Sequence, residues 1–339
     1  MRCILHIGTP KTGTTSLQRV LSSNRDKLAA EGICYSRAAG KFNSRALAVA
    51  ISPNRNEDYL SRHELLDTDT FQRWRETLLS DINDEITEAT STRDVYLLSS
   101  EHFTSTLDQA SDVTCLAQFL ARHFSEIKIV CYLRRQDLMA VSRVSEALRA
   151  GAARRGLPDV RSKGFLPTIY DYDQILTRWG SVFGQSALHP KIFEKSQLVG
   201  GNVVTDFLET ELRLKLDQPD NPPENTALSA TAQLALLMFN RTASDHSPSD
   251  TAQRRRSVVK LLERTAPGPS WLPTKEDAMD FYRHFEHGNN RIATEFFNRE
   301  TLFDDDFDHY PLSAADEDVA AAENLLEQIF ARLEDLENQ

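Results

Sequence analysis

Residues 6 to 18 read "HIGTPKTGTTSLQ". The stretch follows a short apolar run, Cys3 to Ile7, that reads as a buried strand. Leu17, Val20, Leu21 and Leu28 then recur at helical spacing, and Gly32 is a natural stop, so a helix is expected from about Thr14 to Glu31. A strand, a glycine-bearing loop and a helix in this order form an anion-binding unit. Backbone N–H groups around Gly13 and the first helical turn converge, and the helix dipole adds partial positive charge there. Thr14, Thr15 and Ser16 offer hydroxyls, and Lys11 supplies a full charge. A nucleotide triphosphatase loop would place lysine directly after the second glycine. Here Thr14 follows Gly13, and the lysine is in mid-loop. A bare strand-to-helix turn has no use for "PKTGTTS".

Further strands are expected at "ICY" (33–35), "DVYLLSS" (94–100) and "IKIVCYL" (127–133). Between them lie helical patterns at about 70–89, around Val113 to Phe124, and from Asp137 to Ala150 before Gly151. This alternation predicts an α/β fold: a P-loop-type, three-layer parallel sheet with right-handed crossovers, flanked by helices. The glycine loop then sits at a strand's carboxyl end, where such sheets bind ligands. "ALHPKIF" (187–193) reads as one more strand, with Pro190 favouring an edge or a bulge. "LDQPDNPPEN" (216–225) reads as a boundary. It divides an α/β core, 1–215, from a mainly helical C-terminal part, 216–339, whose last helix is expected from about 314 to 336.

The 339 residues carry 40% hydrophobic and 26% charged side chains, as a globular protein does. A net charge of −11 argues against general nucleic-acid binding. No apolar run reaches the roughly 20 residues of a membrane span. Met1-Arg2 leads into "CILHIG" without a signal-peptide pattern. Cys3, Cys34, Cys115 and Cys131 are scattered through apolar segments and read as buried free thiols. A cytoplasmic protein is expected.

"TPKTGTTSLQ" resembles the 5′-phosphosulfate loop of sulfotransferases, enzymes that use 3′-phosphoadenosine 5′-phosphosulfate as donor. The resemblance implies that Lys11 lies beside the donor's bridging oxygen. It also implies that Thr12, Gly13, Thr14, Thr15 and Ser16 cradle the 5′-phosphate. In that family a strand ends in an arginine, followed eight residues later by a helical serine, and the pair binds the 3′-phosphate. "IVCYLRRQDLMAVSRV" is similar, with Arg134 at the strand end and Ser142 eight residues on. Arginine suits a phosphate because its planar fork donates in pairs. Arg135 stands where the family often has asparagine. Weaker likeness to bacterial sulfotransferase-like proteins continues in 170–184, 225–237 and 289–303.

The resemblance implies sulfuryl transfer to an acceptor hydroxyl on a small molecule or glycan, without a metal. Such a reaction needs a base. "YLLSSEHF" at the end of the third strand supplies two candidates, Glu101 and His102, with Glu101 preferred for a sugar hydroxyl. Strand alternation would turn one of them inward. His6 reads as a core histidine. Residues 134–163 form a basic island containing Arg143, Arg149, Arg154, Arg155, Arg161 and Lys163, a lid or an acidic-glycan groove or a solvated surface. "QRRRS" (253–257) is a second basic spot, and "DDDFDH" (304–309) reads as a solvated turn. Two other readings compete. A P-loop kinase is opposed by the position of Lys11 and by the lack of a strand ending in a magnesium-binding aspartate. A nucleotide-binding protein of the same fold could lack turnover.

Overall fold

The computed structural model describes residues 1–52, 57–160, 168–216, 228–242, 248–316 and 318–337. In chain order the strands are β1 (Arg2–His6), β2 (Ile33–Tyr35), β3 (Val95–Ser99), β4 (Ile127–Leu133) and β5 (Leu188–Ile192). The helices are α1 (Thr14–Ser23), α2 (Arg25–Ala30), α3 (Arg45–Ile51), α4 (Glu57–Arg62), α5 (Thr68–Thr90), α6 (His102–Thr106), α7 (Ala110–Leu120) and α8 (Gln136–Ala150). They continue with α9 (Tyr172–Phe183), α10 (Val203–Glu211), α11 (Ala230–Thr242), α12 (Pro248–Thr265), α13 (Lys275–Arg283), α14 (Glu286–Phe297) and α15 (Val319–Glu337). The proline/asparagine-rich boundary expected at 216–225 lies, beyond Leu216, outside the described residues.

The strands form one all-parallel sheet in the order β2-β3-β1-β4-β5. β1 is central because both its faces are apolar: Cys3, Ile4 and Leu5 are fully buried, as a doubly covered parallel strand requires. Alternation then sorts the side chains. Ile4, Leu97, Val130 and Tyr132 pack with Leu17, Leu21, Leu28, Val203 and Phe207 of α1, α2 and α10. On the other face Tyr96 stacks near Phe124, ring centroids 5.6 Å apart, and donates its hydroxyl to Glu85 of α5 at 2.6 Å. The chain leaves β1 toward β2 and β3, then returns to β4 on the opposite side. The loop after β1 therefore lies at a topological switch point. β5 is an edge strand, where Pro190 costs no ladder bond that a central strand would need.

Several elements differ from expectation. The helix expected over 14–31 breaks at Asn24, whose backbone leaves the helical region (φ −116°, ψ 24°). Its amide donates to the Val20 carbonyl at 2.8 Å, offering the backbone an alternative to the helical ladder. α3 and α4 fall where no element is expected. In α3 the run Ala46 to Ala50 is buried throughout, so it carries no helical periodicity. α5 begins at Thr68 because Asp67 caps it, accepting from the Thr70 N–H at 2.8 Å. Of the thiols, Cys3 and Cys131 are buried, Cys34 is half-buried and Cys115 is exposed on α7.

The compact units do not follow sequence order. The first comprises Met1–Arg134, Pro167–Gln218 and His287–Phe303, and holds the sheet. The second comprises Arg135–Leu166, Pro219–Glu286 and Asp304–Gln339. A split at residue 216 separates neither unit whole. In the second unit Leu148 of α8 is buried with Leu236 of α11, Val258 and Leu262 of α12, and Ile329 of α15. Among the described residues no helix is long and apolar enough to cross a membrane.

Candidate functional site

The loop after β1 extends the sheet before it turns. The Ile7 N–H donates to the Val130 carbonyl at 2.9 Å, the Tyr132 N–H to the Gly8 carbonyl at 2.7 Å, and the Thr9 N–H to the Tyr132 carbonyl at 3.0 Å. The Thr9 hydroxyl donates to the same Tyr132 carbonyl at 2.9 Å, and the Thr12 hydroxyl donates to the Thr9 carbonyl at 2.6 Å. Both threonines are buried, so the Thr12 hydroxyl closes the loop on itself. The chain passes through positive φ at Gly8 (103°), Lys11 (65°) and Gly13 (75°). Two of these positions need glycine for space as well. A Cβ on Gly13 would stand 2.7 Å from Val203 Cγ1, and one on Gly8 would stand 3.0 Å from the Glu101 Cα.

α1 opens at Gly13 with no side-chain cap and no acidic residue in its first turn. Its first N–H groups are therefore left without an intrahelical or capping partner, and they carry the positive end of the dipole. Thr14 is buried, whereas Thr15 and Ser16 are exposed and Lys11 is half-buried. Arg134 follows β4 directly. Its Nη1 donates to the Lys11 carbonyl at 2.9 Å, and its guanidinium lies 5.7 Å from the centre of the Phe193 ring. Thus Arg134 braces the loop. Its own carbonyl accepts from the Tyr172 hydroxyl at 2.5 Å. The residues present suit a phosphate group: an uncapped helix start, exposed hydroxyls, Lys11 on the loop and Arg134 bonded to it from the end of β4.

Ser142 is half-buried on α8 and belongs to the second unit. Arg135, also in the second unit, is turned to a structural task. Its Nε and Nη2 donate to Asp137 at 2.8 and 3.0 Å, and its Nη1 to the carbonyls of Asp304 and Asp306 at 2.9 and 2.7 Å. Its guanidinium lies 4.1 Å from the centre of the Phe307 ring. The stretch 304–309 is therefore more than a solvated turn, because Phe307 is buried and the Asp304 and Asp306 carbonyls satisfy a buried cation.

Glu101 and His102 do not obey strand alternation. β3 ends at Ser99, and Glu101 already has helical dihedrals (φ −66°, ψ −16°) as the residue before α6. Both residues are half-buried. Glu101 lies against the loop, as its approach to Gly8 shows. Its Oε2 accepts from Gln18 Nε2 at 3.0 Å, and Gln18 Nε2 reaches Ser99 Oγ at 3.4 Å. Ser99 Oγ in turn meets His6 Nδ1 at 2.8 Å. His102 begins α6, and its backbone N–H donates to Ser100 Oγ at 3.2 Å. Gln18 lies inside the motif at residues 6–18, yet sequence reasoning gave it no role. The available signal was its spacing, one helical turn after Thr14 on the helix that begins at the loop.

The basic island is largely spoken for within the second unit. Arg149 pairs with Glu263 at 2.5 Å, and Arg155 donates to the Ala230 carbonyl at 3.0 Å. Arg255 of the second basic spot donates to Asn240 Oδ1 at 2.9 Å. Arg154 is exposed, and Arg161 and Lys163 lie outside the described residues. Among the described residues no group of three or more His, Cys, Asp or Glu could hold a metal ion.

No family model matches the chain. Over 180 residues it is 27% identical to an uncharacterised protein of Archaeoglobus fulgidus, a match that covers 52% of this chain and 47% of that protein. The chain thus spans about half the length of the curated relative it matches.

Proposed function

We propose that this chain is a sulfotransferase that moves a sulfuryl group from 3′-phosphoadenosine 5′-phosphosulfate to an acceptor hydroxyl on a carbohydrate. One observation carries the reading: a carboxylate residue, Glu101, lies against the loop whose lysine is in mid-loop, with 3.0 Å between the Glu101 Cα and the place of a Cβ on Gly8. In this reading the acceptor oxygen attacks sulfur as Glu101 takes its proton. The sulfur–oxygen bond to the 5′-phosphate breaks, and Lys11 and the first N–H groups of α1 meet the charge on the departing oxygen. The resemblance assigns the 3′-phosphate to Arg134 and Ser142. A kinase would need its lysine after the second glycine, where Thr14 stands.

The test measures binding and turnover separately. Adenosine 3′,5′-bisphosphate should bind much more tightly than AMP in calorimetry. Arg134→Gln should erase most of that preference, and AMP affinity serves as the control because Arg134 also braces the loop. Lys11→Ala should lower kcat by about 100-fold or more, with a smaller loss in donor affinity, because its charge matters most in the transition state. Equal affinity for the two nucleotides, or phosphate transfer from ATP with a strict magnesium requirement, would overturn the reading.

A further inference from the structure

Gln18 lies buried between Glu101 and Asn43. It is 1% exposed, on the helix whose first turn faces the anion loop. Its Nε2 donates to Glu101 Oε2 at 3.0 Å, and its Oε1 accepts from Asn43 Nδ2 at 3.4 Å. The orientation of the amide follows from chemistry. An ionised carboxylate only accepts and the Asn43 amide nitrogen only donates, so the Gln18 nitrogen must face Glu101. Asn43 lies just before α3. The loop there is pinned to the end of β3: the Ser44 N–H donates to the Ser99 carbonyl at 2.9 Å, and the Ser99 N–H donates to Ser44 Oγ at 3.1 Å.

Glu101 itself is held at two levels. Its carbonyl accepts from the Thr104 hydroxyl at 3.0 Å and from the Ser105 N–H at 3.3 Å, which fixes the backbone. Its carboxylate accepts from Gln18 at Oε2 and makes no other hydrogen bond among the described residues. One oxygen is thus anchored and the other is left for a proton. The amide that anchors it belongs to α1, so the carboxylate is tied to the same rigid element that forms the anion site. Behind Gln18, Ser99 Oγ sits between the amide and His6 Nδ1, and burial keeps His6 neutral at pH 7. No second charge therefore competes for the carboxylate from that side.

We propose that Gln18 is a positioning residue: it fixes the rotamer of the Glu101 carboxylate relative to the loop, so that Oε1 takes the acceptor's proton. This rests on the transferase reading above. Without that hydrogen bond the carboxyl is free to rotate away from the loop.

The experiment uses Gln18→Met, which keeps length and removes the donor, and Gln18→Glu, which sets a second carboxylate against the first. The Glu101 side chain is located in crystal structures of the full-length variants without ligand, and kcat and donor KM are measured. Gln18→Met should turn the Glu101 carboxylate away from the place it holds in the natural chain, while kcat falls by about 10- to 100-fold and donor KM holds. Gln18→Glu should displace it further, because like charges repel. In a Glu101→Gln background the Gln18→Met loss should vanish, because the two act as one unit. A loss that persists there, or an unmoved Glu101 carboxylate, would overturn the proposal by making Gln18 merely structural. If Gln18→Met does not fold, Asn43→Ala, which frees the amide to rotate, should move the carboxylate the same way, and no movement would overturn the idea. A displaced carboxylate in a chain that transfers no sulfuryl group would overturn the transferase reading and leave the positioning role standing.

Discussion

His6 shows how one residue can be tied to the site without doing its chemistry. It is 1% exposed, with Nδ1 at 2.8 Å from Ser99 Oγ and its ring 5.9 and 5.4 Å from the centres of Tyr132 and Phe207. Its Nε2 has no hydrogen-bond partner among the described residues. Burial lowers its pKa from 6.5 to about 4, against a weaker upward pull from Glu101 and Glu211. On acidification the unfolded chain takes up this proton first. The stability from a neutral His6 is therefore complete above pH 6.5 and is lost as pH falls from 6.5 toward 4. Linkage sets the full loss on the order of 3 kcal/mol. Urea denaturation at pH 7.5, 6.0 and 5.0 should show a shallower decline for His6→Gln than for the natural chain. Parallel declines would show that His6 carries no such linkage. The sequence places a histidine in an apolar strand, which is enough to read it as core. The lone nitrogen was not legible, because it depends on Ser99, 93 residues away, satisfying only the other one.

Elements were legible where burial leaves a pattern. β1, β3 and β4 announce themselves as apolar runs because a parallel strand is covered on both faces, and β4 matches its expected residues 127–133. α8 ends at Gly151, as its glycine foretold. α3 was missed for the converse reason: a small helix buried on all sides has no polar face to mark its period. Within the site, Arg134 reaches the Lys11 carbonyl because β4 lies beside β1, whereas Gln18 and Asn43 depend on side-chain contacts between elements that no local pattern encodes. Gly13 joins the local and the tertiary requirement. Its φ of 75° disfavours any Cβ, and the space a Cβ would take is already filled by Val203 Cγ1 at 2.7 Å. Gly13→Ala should therefore cost more than the ~1 kcal/mol of backbone strain alone. Adding Val203→Ala should recover the steric part and leave the backbone part. A double variant no better than the single one, once the cost of Val203→Ala alone is subtracted, would mean that Val203 is not what opposes the Cβ.

At the scale of the whole chain, sequence order and structure part company. The proline-rich stretch after residue 215 marks a change in composition, and composition is what a linear reading can weigh. The compact units are instead assembled from segments that return. α14 from His287 onward belongs with the sheet: Arg291 pairs with Asp173, its Nη2 donates to Thr177 Oγ1 at 2.7 Å, and Ile292, Leu302 and Phe303 are buried. Gly288 packs so closely that a Cβ there would lie 2.8 Å from the Asp173 Cβ. Conversely, α8 belongs with the second unit, where Val144 and Leu148 are buried in its apolar cluster and the Leu148 carbonyl accepts from Asn240 Nδ2 at 2.8 Å. A fragment ending at residue 215 would lack Ile292, Leu302 and Phe303 and would bare Val144 and Leu148. At about 1.5–3 kcal/mol for each buried side chain, the loss is roughly 10 kcal/mol, comparable with the whole stability of an ordinary domain. It would also leave Asp137, fully buried beside Arg135, without the Tyr310 hydroxyl that donates to it at 2.6 Å. Residues 1–215 alone should therefore show no cooperative urea transition by tryptophan fluorescence, and limited proteolysis should cut first within α8. The full chain should unfold cooperatively. A sigmoidal transition for 1–215 near the midpoint of the full chain would mean that the α/β half is self-sufficient and that the returning segments only decorate it.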